Sequence, residues 1–453
     1  MSKSDHVAKP SSASMVRFLK GRAPGTGILP HMPCEMVEMI ASNLPVEALG
    51  HLRLTCTELE SKTLRYFSRT YFTEARFMLS KYALQGLLDM SLSRLGKHVR
   101  TLVLGPPCND QGAVEFRRCE PKSPTEKKDI TAQMMRYSDE NRHMRMMGED
   151  AVLIRQSFKN LQGITKLRFI DRMDHCGLYG HNSYGGRYVG SRIGAGVAMF
   201  EDRKPDSTQS LSRIFSVALH AAQAASLKLE CIDTRPGMTW ALDPGHGDSD
   251  SDGDDDDDGI DPSGFGFSSC SIDFPTVTQP GGAHPSAFAH MSVLRLFIGF
   301  ADDIRTDDRR EHFLNRLTGF LSLSPKLRTL GFTFSVRKGA SDFLIDLTNS
   351  GAMKNIDNFD LLGYRLGSTS TLFRILRPLC ATLHGLTLHH IVHSHRQYLQ
   401  LLAWVRNQMP HLTEIDIDYF SDHWFSSVAY KGTEMAQFID TTIENWEEER
   451  GCY

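Results

Sequence analysis

The chain has 453 residues, with 51 Lys and Arg set against 54 Asp and Glu for a formal net charge of -3. That length carries two or three domains with ample core material, and the balanced charge gives no reason to expect nucleic acid or an anionic membrane as the main partner. Nine scattered cysteines without a C-x-x-C pair suit reduced thiols and exclude a disulfide frame or a cysteine-rich zinc site.

Residues 1–28 read as a flexible leader, polar and rich in Ser, Pro and Gly, without the apolar stretch of a secretory signal. No apolar run is long enough to cross a bilayer, so the cytosol or nucleus is expected. From Met32 to Leu59 the spacing turns helical. Met36, Ile40 and Leu44 recur at four-residue steps, with Val37 widening the stripe. Leu44-Pro45 breaks that helix and Pro45 opens the next, in which Leu49, Leu52, Cys56 and Leu59 follow at steps of three and four. Helices this short cannot bury so many apolar positions against each other, so some of them face another surface.

Thr70 to Met90 carries a further aromatic and apolar pattern read as helical. Val99 to Leu104 then reads as a strand closed by Gly105-Pro106-Pro107. Its phrase, apolar residues at L-x-x-L-x-L spacing, returns at Ile164–Phe169, Ser226–Leu229, Val293–Phe297, Leu327–Phe332, Ile356–Leu361, Leu383–Leu388 and Leu412–Ile417. The central residues Leu330, Phe359, Leu386 and Ile415 are about 27 to 29 positions apart, the period of leucine-rich repeats. A helical pattern fills each interval, for example Phe343, Leu344 and Leu347, or Leu372, Ile375, Leu376 and Leu379. Such units bury their apolar faces only by stacking. The expected fold is α/β: a short all-α segment over 29–96, then an irregular leucine-rich-repeat solenoid over 97–434 with long loop insertions, closed by a capping helix over 435–453. The competing reading, a doubly wound α/β domain, requires strands apolar on both faces, whereas these carry Arg, Lys, Thr, His and Asp between the apolar positions. The long early intervals predict inserted loops at Asn109 to about Arg145, at Asp171 to Lys204 and at Asp233 to about Ala287, the last holding an acidic, disordered stretch over about 243–287.

The helical stretch resembles an F-box. Met32-Pro33-Cys34-Glu35 stands for its Leu-Pro-x-Glu opening, followed by Met36, Val37, Ile40, Leu44-Pro45, Leu49, Leu52, Leu54 and Cys56, and Ser61-Lys62-Thr63, Tyr66-Phe67 and Tyr71-Phe72 read like the continuation in fungal-type F-box proteins. Met32 replaces the usual leucine and Leu59 the usual tryptophan. The resemblance implies a substrate receptor of a cullin-RING ubiquitin ligase, a non-catalytic subunit. It would bind the Skp-family adaptor, and through it the cullin complex, by Pro33, Glu35, Met36, Ile40, Leu44, Pro45, Leu49, Leu52 and Cys56, and hold an unknown target protein on the solenoid. The alternative is a repeat scaffold in which these helices serve only as an amino-terminal cap.

Residues that invite a chemical reading carry little. Asp248-Ser-Asp-Ser-Asp-Gly253 opens like a calcium loop but its twelfth position is Gly259, so an acidic solvated loop is expected. His384, His389, His390, His393 and His395 lack the glutamate of H-E-x-x-H. Asp174-His175-Cys176 is adjacent in sequence only, and the glycines from Gly185 to Gly196 lack the Gly-Lys-Ser/Thr of a phosphate loop. No catalytic residue, metal or cofactor is expected.

Overall fold

The period of apolar residues becomes a sheet. The computed structural model describes residues 27–105, 124–170, 206–234, 267–268, 272–275, 286–299, 307–334, 340–363, 369–392, 395–421 and 424–451. The chain divides into two units, Met1–Thr73 and Glu74–Tyr453, so the boundary falls well before the expected position near residue 96. The first unit contains three helices, α1 (Cys34–Ser42), α2 (Val46–Thr55) and α3 (Thr57–Tyr71), preceded by a 3-10 turn at Leu29–His31.

The second unit runs β1 (Glu74–Met78), α4 (Lys81–Leu92), β2 (Thr101–Gly105), α5 (Pro124–Met146), α6 (Glu149–Asn160), β3 (Lys166–Phe169), α7 (Asp206–Ala224), β4 (Cys231–Asp233), β5 (Phe267–Ser268) and β6 (Val293–Gly299). It continues α8 (Asp307–Ser322), β7 (Thr329–Phe334), α9 (Ala340–Asn349), β8 (Asn358–Gly363), α10 (Thr369–Leu376), β9 (Gly385–Val392), α11 (His395–Gln408), β10 (Glu414–Ser421), β11 (Trp424–Lys431) and α12 (Met435–Gly451). These strands form one mixed sheet in the order β1-β2-β3-β4-β6-β7-β8-β9-β10-β11, with β5 beside β6. Every pair is parallel except β10 with β11. The order never reverses, so the doubly wound alternative is absent, because that fold requires a switch point. Crossovers of one hand in a monotonic order put their helices on one side of the sheet, where α8, α9, α10, α11 and α12 contact one another in turn.

Leu330, Phe359, Leu386 and Ile415 stand opposite one another in register and are all buried, as their even spacing required. A backbone ladder binds successive repeats where the strands begin. The carbonyl of Arg100 accepts from Thr165 and Lys166, that of Thr165 from Glu230 and Cys231, and that of Glu230 from Ser292 and Val293. The series continues through Ser292, Arg328, Asp357 and His384 to Thr413 and Glu414. The helical stripes also fall inward: Phe343, Leu344 and Leu347 of α9 and Leu372, Ile375 and Leu376 of α10 are buried.

Four local expectations change. Glu74–Met78, read within a helical pattern, is an edge strand paired with β2, because Ala75 and Phe77 find an inward face only there. The third phrase is displaced by a few residues: the strand pairs at Cys231–Asp233, not at Ser226 to Leu229, while Leu227, Leu229 and Ile232 are all buried. The loop expected at Asn109 to about Arg145 overlaps a 23-residue helix, α5, which packs on α6. The acidic insert is not loop throughout, since Phe267–Ser268 pairs with β6 and Ile272, Phe274 and Ala287 are buried; the calcium-like loop, the glycine run and Asp174-His175-Cys176 lie outside the described residues.

The face of the sheet away from the helices is polar. Along one row, register aligns Arg76, Val103, Arg168, Asp233, Arg295, Gly331, Asp360, Thr387 and Asp416. Arg295 Nε reaches across Gly331 to Asp360 Oδ2 at 2.6 Å. A Cβ at Gly331 would lie 3.0 Å from Arg295 Cγ and 3.1 Å from Asp360 Cβ, so the missing side chain is what leaves the path open. Arg168 and Arg76 both pair with Glu74, at 3.4 and 2.6 Å, and His389 lies 3.2 Å from Asp416 and 3.9 Å from Asp418. The row therefore grades from basic at β1 to acidic at β10.

Candidate functional site

The helical unit closes a small core of its own. Val37 and Ala41, four apart on α1, are buried together with Leu49 of α2 and Leu59 of α3, and α3 contacts both other helices and the 3-10 turn. Arg53 fastens α2 to α3. Its guanidinium donates to Glu60 Oε1 at 2.8 Å, to the Glu60 carbonyl at 3.2 Å and to Thr63 Oγ1 at 3.1 Å, and lies 4.0 Å from the Phe67 ring centre. Lys62 fastens the opening segment: its ammonium donates to the carbonyls of Pro30 and Met32 at 2.5 and 2.9 Å, and the Cys34 thiol donates to the Lys62 carbonyl at 3.3 Å. Replacing Arg53 by Ala removes a largely buried cation from three acceptors and an aromatic face, which is expected to cost the unit roughly 2–3 kcal/mol. Arg53→Lys recovers little of this, because an ammonium cannot reproduce the planar fork. Hydrogen exchange of α2 and α3 amides measures both variants.

Of the residues expected to meet a partner, Pro33, Glu35 and Pro45 are exposed, and Met36, Ile40, Leu44, Leu52 and Cys56 are half-buried. Leu49 is a correction. It is fully enclosed, so it serves the unit's own packing and offers nothing outward. Four apolar side chains that the spacing did not single out project instead: Leu54 is 85% exposed and Met39 62%, with Ile28 and Val46 about half exposed. At 100° per residue Met39 sits about 160° round α1 from Val37 and Ala41, and Leu54 about 140° round α2 from Leu49. The signal was present as apolar residues on the wrong side of each stripe. Leu59, where the F-box pattern has tryptophan, faces inward at 3% exposure.

Among the described side chains the histidines do not assemble. His384 stacks on His411 with ring centres 6.3 Å apart, whereas His389 faces the carboxylates of β10, and His393 lies outside the described residues. Among the described residues no group of His, Cys, Asp or Glu has the arrangement to hold a metal ion, and no helix is long and apolar enough to cross a membrane. Burial raises the Cys380 thiol above its ordinary value despite Arg377 nearby, which disfavours a thiolate there. No protein-family model matches the chain, and no match was found among curated proteins.

Proposed function

We propose that the chain is an F-box substrate receptor of an SCF-type cullin-RING ubiquitin ligase: the helical unit binds the Skp-family adaptor, and the sheet unit, read as an irregular leucine-rich-repeat solenoid, holds a target protein. The observation that carries this reading is the outward projection of Leu54 and Met39 from a unit whose core Val37, Ala41, Leu49 and Leu59 already close. Large apolar side chains left outside a satisfied core are stabilised by burial against a partner, each by about 1.5–3 kcal/mol. The even period of the last four repeats, the monotonic strand order and the ladder at the strand starts support the solenoid reading. In this role the protein performs no covalent chemistry. Its contribution is proximity, bringing target lysines to a high effective concentration near activated ubiquitin.

Co-purification of the full chain with a recombinant Skp-family adaptor tests the proposal. The wild type is expected to form a stable complex, and Met39→Asp/Leu54→Asp to bind at least about 100-fold more weakly, two lost burials being worth some 3 kcal/mol or more. Since both positions are exposed, the variant keeps its fold, which circular dichroism verifies. Undiminished binding by the double variant, or none by the wild type, defeats the assignment. A second reading, a repeat scaffold outside any ligase, is favoured by Leu59: the smaller side chain changes the packing beneath the surface the adaptor would meet. The wild-type arm of the same experiment separates the two.

A further inference from the structure

Register places one position of each repeat, three residues before the first paired residue of the strand, in a row along one end of the sheet. Thr101, Lys166, Cys231, Val293 and Thr329 are mutually opposite. The row three residues earlier therefore reads His98, Gly163, Lys228, His290 and Lys326. At Gly163 the basic group comes from next door: Arg100 Nη1 donates to the Gly163 carbonyl at 3.0 Å, and a Cβ on Gly163 would lie 2.0 Å from that same nitrogen. The guanidinium thus occupies the space where a side chain at Gly163 would stand. Five consecutive repeats present a basic group along this line, spaced by the interval between strands, about 4.8 Å. In the next three repeats the equivalent residues are Asn355, Thr382 and His411, so the basic stretch ends before the sheet does.

Four of these groups, Arg100, Lys228, His290 and Lys326, border a cavity of about 380 Å3, with Glu230 and Thr165 among the remaining walls. Lys326 Nζ lies 3.3 Å from His290 Nδ1. Neither Lys228 nor Lys326 forms an ion pair among the described residues. Lys228 and Lys326, on either side of His290 in the row, thus share one wall, in a protein whose overall charge is close to neutral. Among the described residues Glu230 is the single opposing charge on that wall.

We infer that this cavity binds a small soluble polyanion carrying phosphate groups. Closely spaced phosphates match a line of cations about 4.8 Å apart, and the volume suits a small molecule. A membrane is disfavoured because the basic groups border a cavity of about 380 Å3, which admits a small molecule and not a bilayer surface. This site is separate from the adaptor surface and stands or falls independently of the proposed ligase role.

Isothermal titration of the full chain with sodium tripolyphosphate tests it. Saturable binding of one molecule per chain is expected, weakening as salt is raised. Lys228→Glu/Lys326→Glu is expected to bind at least about tenfold more weakly, while Lys354→Glu, an exposed cation away from the cavity, binds as the wild type. Unchanged melting curves establish that the variants are folded. Absence of saturable binding by the wild type, equal binding by the double variant, or an equal loss in Lys354→Glu overturns the proposal. A parallel arm uses phosphatidylcholine vesicles containing phosphatidic acid: competition by tripolyphosphate supports the soluble ligand, whereas vesicle binding that tripolyphosphate does not displace overturns it.

Discussion

Truncating Phe274 to alanine is expected to lower the unfolding free energy of the sheet unit by about 3–5 kcal/mol, the range for a large buried aromatic. Phe274 lies within the segment that joins β4 to β6, where no helix is found among the described residues. Its ring is 1% exposed and lies 6.1 Å from Phe215 of α7, 6.0 Å from Phe313 and 5.0 Å from Phe320 of α8, the last stacked. The side chain therefore fills the gap in the helix layer between α7 and α8. Asp273 holds the same segment in place, its amide donating to Ser216 Oγ at 2.7 Å and its carboxylate pairing with His220 and Arg316. Without the ring, Phe215 and the two α8 rings face a cavity that a packed repeat array closes only in part. Phe274→Leu, which conserves most of the volume, should cost under about 1.5 kcal/mol. Urea unfolding followed by tryptophan fluorescence measures both, and a loss below about 1 kcal/mol for the alanine variant would show that the segment is not an anchor.

The second large effect is expected at Arg295. Burial works against its charge, but the Asp360 carboxylate, by proximity and by hydrogen bond, and to a smaller extent Asp233 and Cys231, more than restore it, so the guanidinium is held above its ordinary range. Arg295→Ala leaves Asp360, whose side chain is 9% exposed, without its counter-ion. Because the arginine side chain itself retains 23% exposure, the cost is set below that of a fully buried pair, at roughly 2–3 kcal/mol. Replacing both partners, Arg295→Met/Asp360→Leu, should recover most of this, since an apolar pair of similar volume has no stranded charge. The wild type, Arg295→Met, Asp360→Leu and the double variant form a double-mutant cycle in urea with an expected coupling near 2 kcal/mol. If the double variant is as unstable as the single, the bridge over Gly331 is not what holds β6 to β8.

How far the residues spoke for themselves depended on whether a signal was periodic. The phrase at Leu327–Phe332, Ile356–Leu361, Leu383–Leu388 and Leu412–Ile417 specified both the strands and their register, because at a side-chain period of two a slip of one residue turns every apolar side chain outward. The helical stripes between them were legible for the same reason, as was the closing helix Met435–Gly451, whose Ile439 is buried and whose Phe438 stacks on Tyr430. The antiparallel β11 was not foreseen, although Val428 and Tyr430 alternate with Ser427, Ala429 and Lys431. A strand that pairs by hairpin carries no crossover helix and so falls outside the repeat.

What the residues determined alone is thus the architecture of the regular repeats and the presence of an amino-terminal helical unit with more apolar side chains than it can enclose. The tertiary structure decided which of those side chains turn outward, exchanging Leu49 for Leu54 and Met39, because a helical period specifies a stripe but not which neighbour the stripe meets. It also decided that Phe274 is core and that Arg100 stands in for a residue at Gly163. Both depend on contacts between segments about 60 residues apart in the chain, at distances where no local pattern constrains which side chain fills a given space.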